Sequence, residues 1–260
     1  MAFSLFWLPE VLRAAGLKVA EQPGWLTHGR GEMGKVRGVI CHHTVGGRTG
    51  NMPSLGVLTK GRKLKNGGFL HGPLAQLGLG RDGTYYVIAA GVANHAGAGS
   101  WKQIGGNSKF IGIEAENSGG LNDRWPDEQM DAYCRGVAAI LQKTGLDVGM
   151  CCGHKEYAPN RKPLDPRFDM NAFRERVRGI MAGTGPTRPL IPATAPTGRV
   201  TLRRGARGDL VRIVQRKLAL EDDGIFGALT EAALRRFQRN NALVADGIAG
   251  PKSWVVIDGP

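Results

Sequence analysis

Three short stretches carry the side chains with the most chemical potential: His42-His43-Thr44, Gly112-Ile113-Glu114-Ala115-Glu116, and a later segment holding Gly153-His154, Arg161-Lys162 and Asp165-Pro166. A catalytic zinc takes three protein ligands from histidine, carboxylate or thiolate and keeps a fourth position open for water. His42, His154 and Asp165 can supply three such ligands from two strand ends and one loop. A carboxylate held over a buried sheet suits a general base, because burial raises its pKa toward neutrality. Glu114 and Glu116 both qualify, since residues two apart on a strand share a face. Lys162 stands between the second and third ligands and can stabilise charge developing on an oxygen. Each stretch alone also reads as an ordinary strand face or loop. Their joint occurrence in one region carries the argument.

These groups need elements to position them. Short runs rich in β-branched residues and bounded by turn residues predict strands at 36–44, 84–89, 110–116 and 148–152. If the last strand runs on, alternation places Val148, Met150, Cys152 and His154 on one face. Met130, Tyr133, Cys134, Val137, Ile140 and Leu141 recur at helical spacing between Pro126-Asp127 and Gly145, which predicts a helix. Asp169 can cap a second helix with Phe173, Val177 and Ile180 on its apolar side. The expected fold class is α/β, a mixed central sheet flanked by helices.

Residues 183–198 contain four prolines among small and hydroxyl residues, the composition of a semi-extended tether. The chain therefore divides into a larger domain at 1–182, a Pro/Thr-rich linker at 183–198, and a small all-α domain at 199–260. The small domain has an internal echo. Asp223-Gly-Ile-Phe-Gly returns 23 residues later as Asp246-Gly-Ile-Ala-Gly, with Thr230 and Ser253 following at the same distance. Asp-Gly is turn chemistry, and Thr230 is placed to cap a helix through Ala233, Leu234 and Phe237.

The formal charge is +13, distributed as +8 over residues 1–182 and +4 over residues 199–260. No run of like charges interleaves with aromatics, which argues against a nucleic-acid groove and fits a loosely defined polyanion such as a cell wall. The four cysteines, Cys41, Cys134, Cys151 and Cys152, form no disulfide framework and are expected to stay reduced. No stretch approaches the roughly 20 apolar residues that span a bilayer. The apolar start lacks a basic leader and is cut short by Pro9 and Glu10, so no signal peptide is expected.

The order His-x-Thr, Gly-Ile-Glu, Gly-His, Arg-Lys and Asp-Pro resembles the type 2 N-acetylmuramoyl-L-alanine amidases, which include phage lysins and peptidoglycan recognition proteins. Arg81-Asp82-Gly83-Thr84 and His95-Ala96-Gly97 also stand where that family has such motifs, and the resemblance covers roughly residues 36–180. It implies a zinc ion held by His42, His154 and Asp165, with Glu114 and Lys162 assisting the chemistry. Pro163 and Leu164 stand between Lys162 and Asp165 where the family commonly has one residue. Some members use cysteine as the third ligand, so Cys151 and Cys152 are rivals for Asp165, and His43 is a rival for His42. The small domain resembles the helical peptidoglycan-binding domains of wall hydrolases. His95, Asn117 and Trp254 are the expected substrate contacts.

The expected activity is hydrolysis of the amide between N-acetylmuramic acid and L-alanine, with peptidoglycan as partner, no nucleic acid, no stable membrane insertion and a monomeric chain. A phage endolysin, made in the host cytoplasm and acting on the wall after release, is the expected setting. The alternatives are a bacterial autolysin, a non-catalytic peptidoglycan receptor of the same fold, and a lysozyme-like enzyme that would need two carboxylates flanking its bond.

Overall fold

The computed structural model describes residues 3–64, 66–184, 199–241 and 243–259. The chain splits into two compact units, Met1–Thr187 and Arg188–Pro260. The predicted tether at 183–198 lies outside the described residues except for its two first positions.

Among the described residues of the first unit eight strands form: β1 (Lys18–Glu21), β2 (Gly38–His43), β3 (Gly61–Lys63), β4 (Phe69–His71), β5 (Leu77–Leu79), β6 (Thr84–Val87), β7 (Phe110–Ala115) and β8 (Cys151–Gly153). Six of them make one sheet in the order β1-β6-β5-β7-β2-β8, with only the β5–β6 pair antiparallel. β3 and β4 make a separate antiparallel hairpin. The helices are α1 (Leu8–Ala14), α2 (Leu55–Lys60), α3 (Asp127–Thr144), α4 (His154–Tyr157) and α5 (Met170–Met181). The mixed α/β architecture expected from the sequence is present.

β2 is buried along its whole length and lies between β7 and β8. A strand covered on both faces reads as a continuous apolar run, as Gly38-Val-Ile-Cys does before the histidines. α3 packs on this part of the sheet. Its first turn carries Asp127 and Glu128, and it ends on Gly145 in the left-handed conformation, φ 66°, which glycine adopts without steric cost. Tyr133 on α3 accepts the His42 N–H at 2.9 Å and donates to the Ile113 carbonyl at 2.9 Å. The helix is thereby pinned to β2 and β7 at the level of the first metal-ligand candidate. α5 begins as expected, with Asp169 accepting from the Asn171 and Ala172 amides.

Two local expectations are corrected. The segment at 148–152 is a strand only from Cys151. Asp147 accepts the Gly149 N–H at 2.7 Å and winds Val148–Met150 into a 3-10 turn. His154 is likewise the first residue of α4 and not the last of a strand.

The second unit holds α6 (Asp209–Lys217), α7 (Ala228–Asn240) and α8 (Pro251–Ile257) around Val211, Val214, Phe226, Leu234 and Trp254. The sequence echo is a repeated hydrogen-bonding device. Gln215 Nε2 donates to Asp223 Oδ1, the Ile225 carbonyl and Thr230 Oγ, while its Oε1 accepts the Gly224 N–H. Gln238 makes the same four bonds to Asp246, Ile248, Ser253 and Gly247. Each buried amide thus ties a turn to the preceding helix, leaving no polar atom of the pair unsatisfied. Thr230 is therefore not a cap. α7 starts earlier, at Ala228, and Thr230 is buried facing Gln215.

Candidate metal centre and active site

β2, β7 and β8 deliver the central groups. His42 and Glu114 are register partners on adjacent parallel strands, so both side chains rise from the same face of the sheet. His154 lies one step beyond the Cys41–Gly153 pair of β2 and β8. Asp165 arrives on the loop after α4, where its carbonyl accepts the Lys155 N–H and its amide donates to the Lys162 carbonyl. One nitrogen of each histidine and one oxygen of Asp165 lie within 4.8 Å of one another, all three residues buried.

The hydrogen bonds decide which atoms face inward. His154 Nε2 donates to the Ala96 carbonyl at 2.9 Å, which leaves Nδ1 of the neutral ring as a lone pair. That Nδ1 faces Asp165 Oδ2 at 3.1 Å. His95 Nε2 donates to the Phe110 carbonyl at 3.1 Å, so its Nδ1 accepts from His42 Nε2 at 3.1 Å. His42 Nδ1 is then also a lone pair. It is buried with no hydrogen-bond partner, 3.6 Å from Asp165 Oδ2 and 3.9 Å from Glu114 Oε1.

Two nitrogen lone pairs and a carboxylate oxygen converging on one point repel unless a positive charge lies between them. A zinc ion meets that need with a common donor set. The fit rests on the orphaned His42 Nδ1 as much as on the residue types.

Burial lowers His42 to about 4 despite the adjacent Asp165, so the ring is neutral and competent as a ligand at pH 7. Burial raises the Asp165 carboxyl, but the adjacent His154 and His42 rings more than offset this and hold it well below the usual carboxylate range. Glu114 behaves in the opposite way. Burial, reinforced by the charge of Asp165, pushes its carboxyl well above the ordinary value, and Lys162 only partly compensates. Its Oε2 is buried without a partner. Two neighbouring carboxylates with pKa values driven apart mark different roles.

A cleft of about 590 Å³ opens over this cluster, lined among others by Arg62, Leu70, His95, Glu114, Lys162 and Asp165. Several predicted residues stand elsewhere. Glu116 lies outside the cleft lining, fully buried, accepting from Thr44 Oγ and from the amide and hydroxyl of Ser54. Asn117 is buried and lies outside the cleft lining. Its amide bonds within its own loop, donating to the Asp123 carbonyl and accepting the Gly119 N–H. Trp254 is 0% exposed in the core of the second unit, its indole N–H donating to the Val200 carbonyl. The rival cysteines do not enter the site. All four are free and buried, with Cys151 Sγ 3.6 Å from Cys41 Sγ and Cys152 packed beside Ile40 and Phe110. His43 instead supports Asp165, its backbone N–H donating to Oδ1 at 2.8 Å.

Sequence reasoning missed three supporting groups. Tyr133 read only as an apolar helix position. Asn107, whose Oδ1 accepts the His95 and Ala96 amides, carried no motif. Gly112 owes its identity to the His95 ring, which a Cβ there would meet at 2.5 Å.

Residues 32–167, a little over half of the chain, match the N-acetylmuramoyl-L-alanine amidase family, and residues 207–257 match a peptidoglycan binding domain family. A curated relative, the zinc D-Ala-D-Ala carboxypeptidase of Streptomyces albus G, is 44% identical over 62 residues, covering 21% of this chain and 24% of that protein. A Burkholderia AP3 phage endolysin structure is 45% identical over 23% of this chain and 25% of its own, with a TM-score of 0.22. The amidase LysC from Clostridium intestinale is 19% identical over 62% of this chain and 97% of its own, with a TM-score of 0.44. This chain spans about a quarter of the length of the carboxypeptidase and of the AP3 endolysin. With more than half of its residues matched, in a span that includes His42, His154 and Asp165, the chain belongs to the N-acetylmuramoyl-L-alanine amidase family.

Proposed function

We propose that the first unit hydrolyses the amide bond joining N-acetylmuramic acid to L-alanine in peptidoglycan, using a zinc ion held by His42, His154 and Asp165. The observation that carries this reading is the convergence of three buried ligand atoms within 4.8 Å, beside an unpartnered Glu114 carboxylate, at the floor of an open cleft. When bound, zinc supplies a Lewis acid that acidifies water and polarises the carbonyl under attack. Glu114 takes the proton from the attacking water and returns it to the leaving amine nitrogen. Burial raises its pKa, so it holds the proton more firmly than an exposed carboxylate would before passing it on. Lys162, which also lines the cleft, stabilises the oxygen on which negative charge develops.

A glycosidase reading would need a second carboxylate across the bond, about 5–9.5 Å from the first. Glu116 is engaged by Thr44 and Ser54 and lies outside the cleft lining, which speaks against that role. A receptor without catalysis has no use for a complete ligand set and an unpartnered base. One chain supplies all the assigned groups, so the proposed site needs no second copy, and a monomer is the proposed working unit. The second unit is assigned to hold the enzyme on peptidoglycan, aided by the chain's +13 charge against an anionic wall. Lysis of a host wall by a phage is the proposed biological setting. No helix among the described residues is long and apolar enough to cross a membrane.

Digestion of purified sacculi tests the bond assignment. New L-alanine amino termini are expected without new reducing sugar ends, and the reverse result would establish glycan cleavage instead. A fragment of residues 1–182 is expected to cleave soluble muropeptide at the rate of the whole chain while binding sacculi more weakly, because tethering raises the effective concentration at the wall. Equal sacculus binding by fragment and whole chain would remove the anchoring role.

A further inference from the structure

His95 and Ala96 are adjacent, and each receives or supports one of the two ligand histidines. His95 Nδ1 accepts from His42 Nε2, and the Ala96 carbonyl accepts from His154 Nε2. The dipeptide is itself held from both sides. Asn107 Oδ1 accepts both of its amides, at 3.1 and 2.8 Å. Arg161 donates to the Ala96 carbonyl at 3.0 Å and to the Ala98 carbonyl at 3.0 Å. The His95 ring is seated against Gly112 and anchored through Nε2 on the Phe110 carbonyl. Its orientation is thus fixed independently of His42.

We propose that the His95-Ala96 pair, braced by Asn107 and Arg161, is the outer shell that sets the ligand nitrogen of both histidines, with His95 a positioning residue. This inference rests on the zinc-site reading above. An acceptor at each Nε2 keeps the proton there and turns both Nδ1 lone pairs inward. Groups of this kind fix ring orientation and raise ligand basicity, and their loss costs about 10–100-fold in metal affinity. His42 is the more vulnerable to such loss, because its outer partner among the described residues is a side chain, whereas His154 is held by a backbone carbonyl.

The test uses the full chain and zinc alone. Zinc affinity is measured by competition with a chromophoric chelator for the wild type, His95→Leu and His95→Asn, and imidazole nitrogen chemical shifts are recorded for the zinc-loaded wild type. The expected results are Nδ1 coordination of His42 and His154, zinc binding about 10–100-fold weaker in His95→Leu, and recovery of most of that loss in His95→Asn, whose amide oxygen offers an acceptor again. Circular dichroism of the metal-free variants checks folding. Should His95→Leu not fold, His95→Asn and the wild-type nitrogen shifts still decide. Unchanged affinity in His95→Leu, weakening of equal size in both variants, or coordination of His42 through Nε2 overturns the inference alone. Failure of the wild type to bind zinc overturns the zinc-site reading and the inference together.

Discussion

Glu114→Gln is expected to keep its zinc and lose on the order of 10²–10⁴-fold in the rate of muropeptide cleavage. The amide is nearly the same shape as the carboxylate but cannot accept and return a proton. Its oxygen lies 3.9 Å from His42 Nδ1, beside the ligand cluster and outside it, so metal content should not follow the rate. Glu116→Gln is the matched control, two residues further along. That carboxylate accepts three hydrogen bonds from Thr44 and Ser54, so the substitution should loosen the segment between them and lower the rate only mildly. Parallel measurement of zinc content and initial rate separates the two. A near-normal Glu114→Gln beside an inactive Glu116→Gln would reverse the assignment of the base.

Removal of a ligand should act on the metal itself. His42→Ala, His154→Ala and Asp165→Ala should each lose stoichiometric zinc and with it essentially all activity, because two remaining ligands do not hold the ion in competition with water. Asp165→Ala carries a second consequence, since Oδ1 also accepts the His43 N–H at the end of β2. Cys152→Ala should keep full zinc, as its thiol is buried beside Ile40 and Phe110, away from the cluster. Elemental analysis of the four proteins decides. Full zinc in Asp165→Ala with loss in Cys152→Ala would move the third ligand to the cysteine.

Much of this site was legible in the sequence because its parts sit at the ends of strongly patterned elements. The apolar run before His42 marked a buried strand, and Pro126 and Gly145 bracketed α3 to within a residue. Asp169 announced α5. The extra residue before Asp165 was absorbed in the loop, where the Lys155 amide still holds the Asp165 carbonyl. What failed to show did so for physical reasons. β1 and β5 are four and three residues long, too short to display a period. Alternation placed Glu116 with Glu114, yet β7 ends at Ala115, and beyond it the side chain follows its partners Thr44 and Ser54. Asn117 and Trp254 were polar or aromatic residues near suggestive motifs, and only packing reveals that their polar atoms are already satisfied. The roles of Asn107, Arg161 and Tyr133 arise from contacts across 11 to 91 positions of the chain, which no local pattern encodes.

The central claim is that one zinc, held by His42, His154 and Asp165, is required for the reaction. Its most direct test is a titration of metal-free protein with zinc, following cleavage of a soluble muropeptide. The rate should rise in proportion to added zinc up to one equivalent per chain and then stay level. Undiminished cleavage by protein shown by elemental analysis to be free of metal would contradict it.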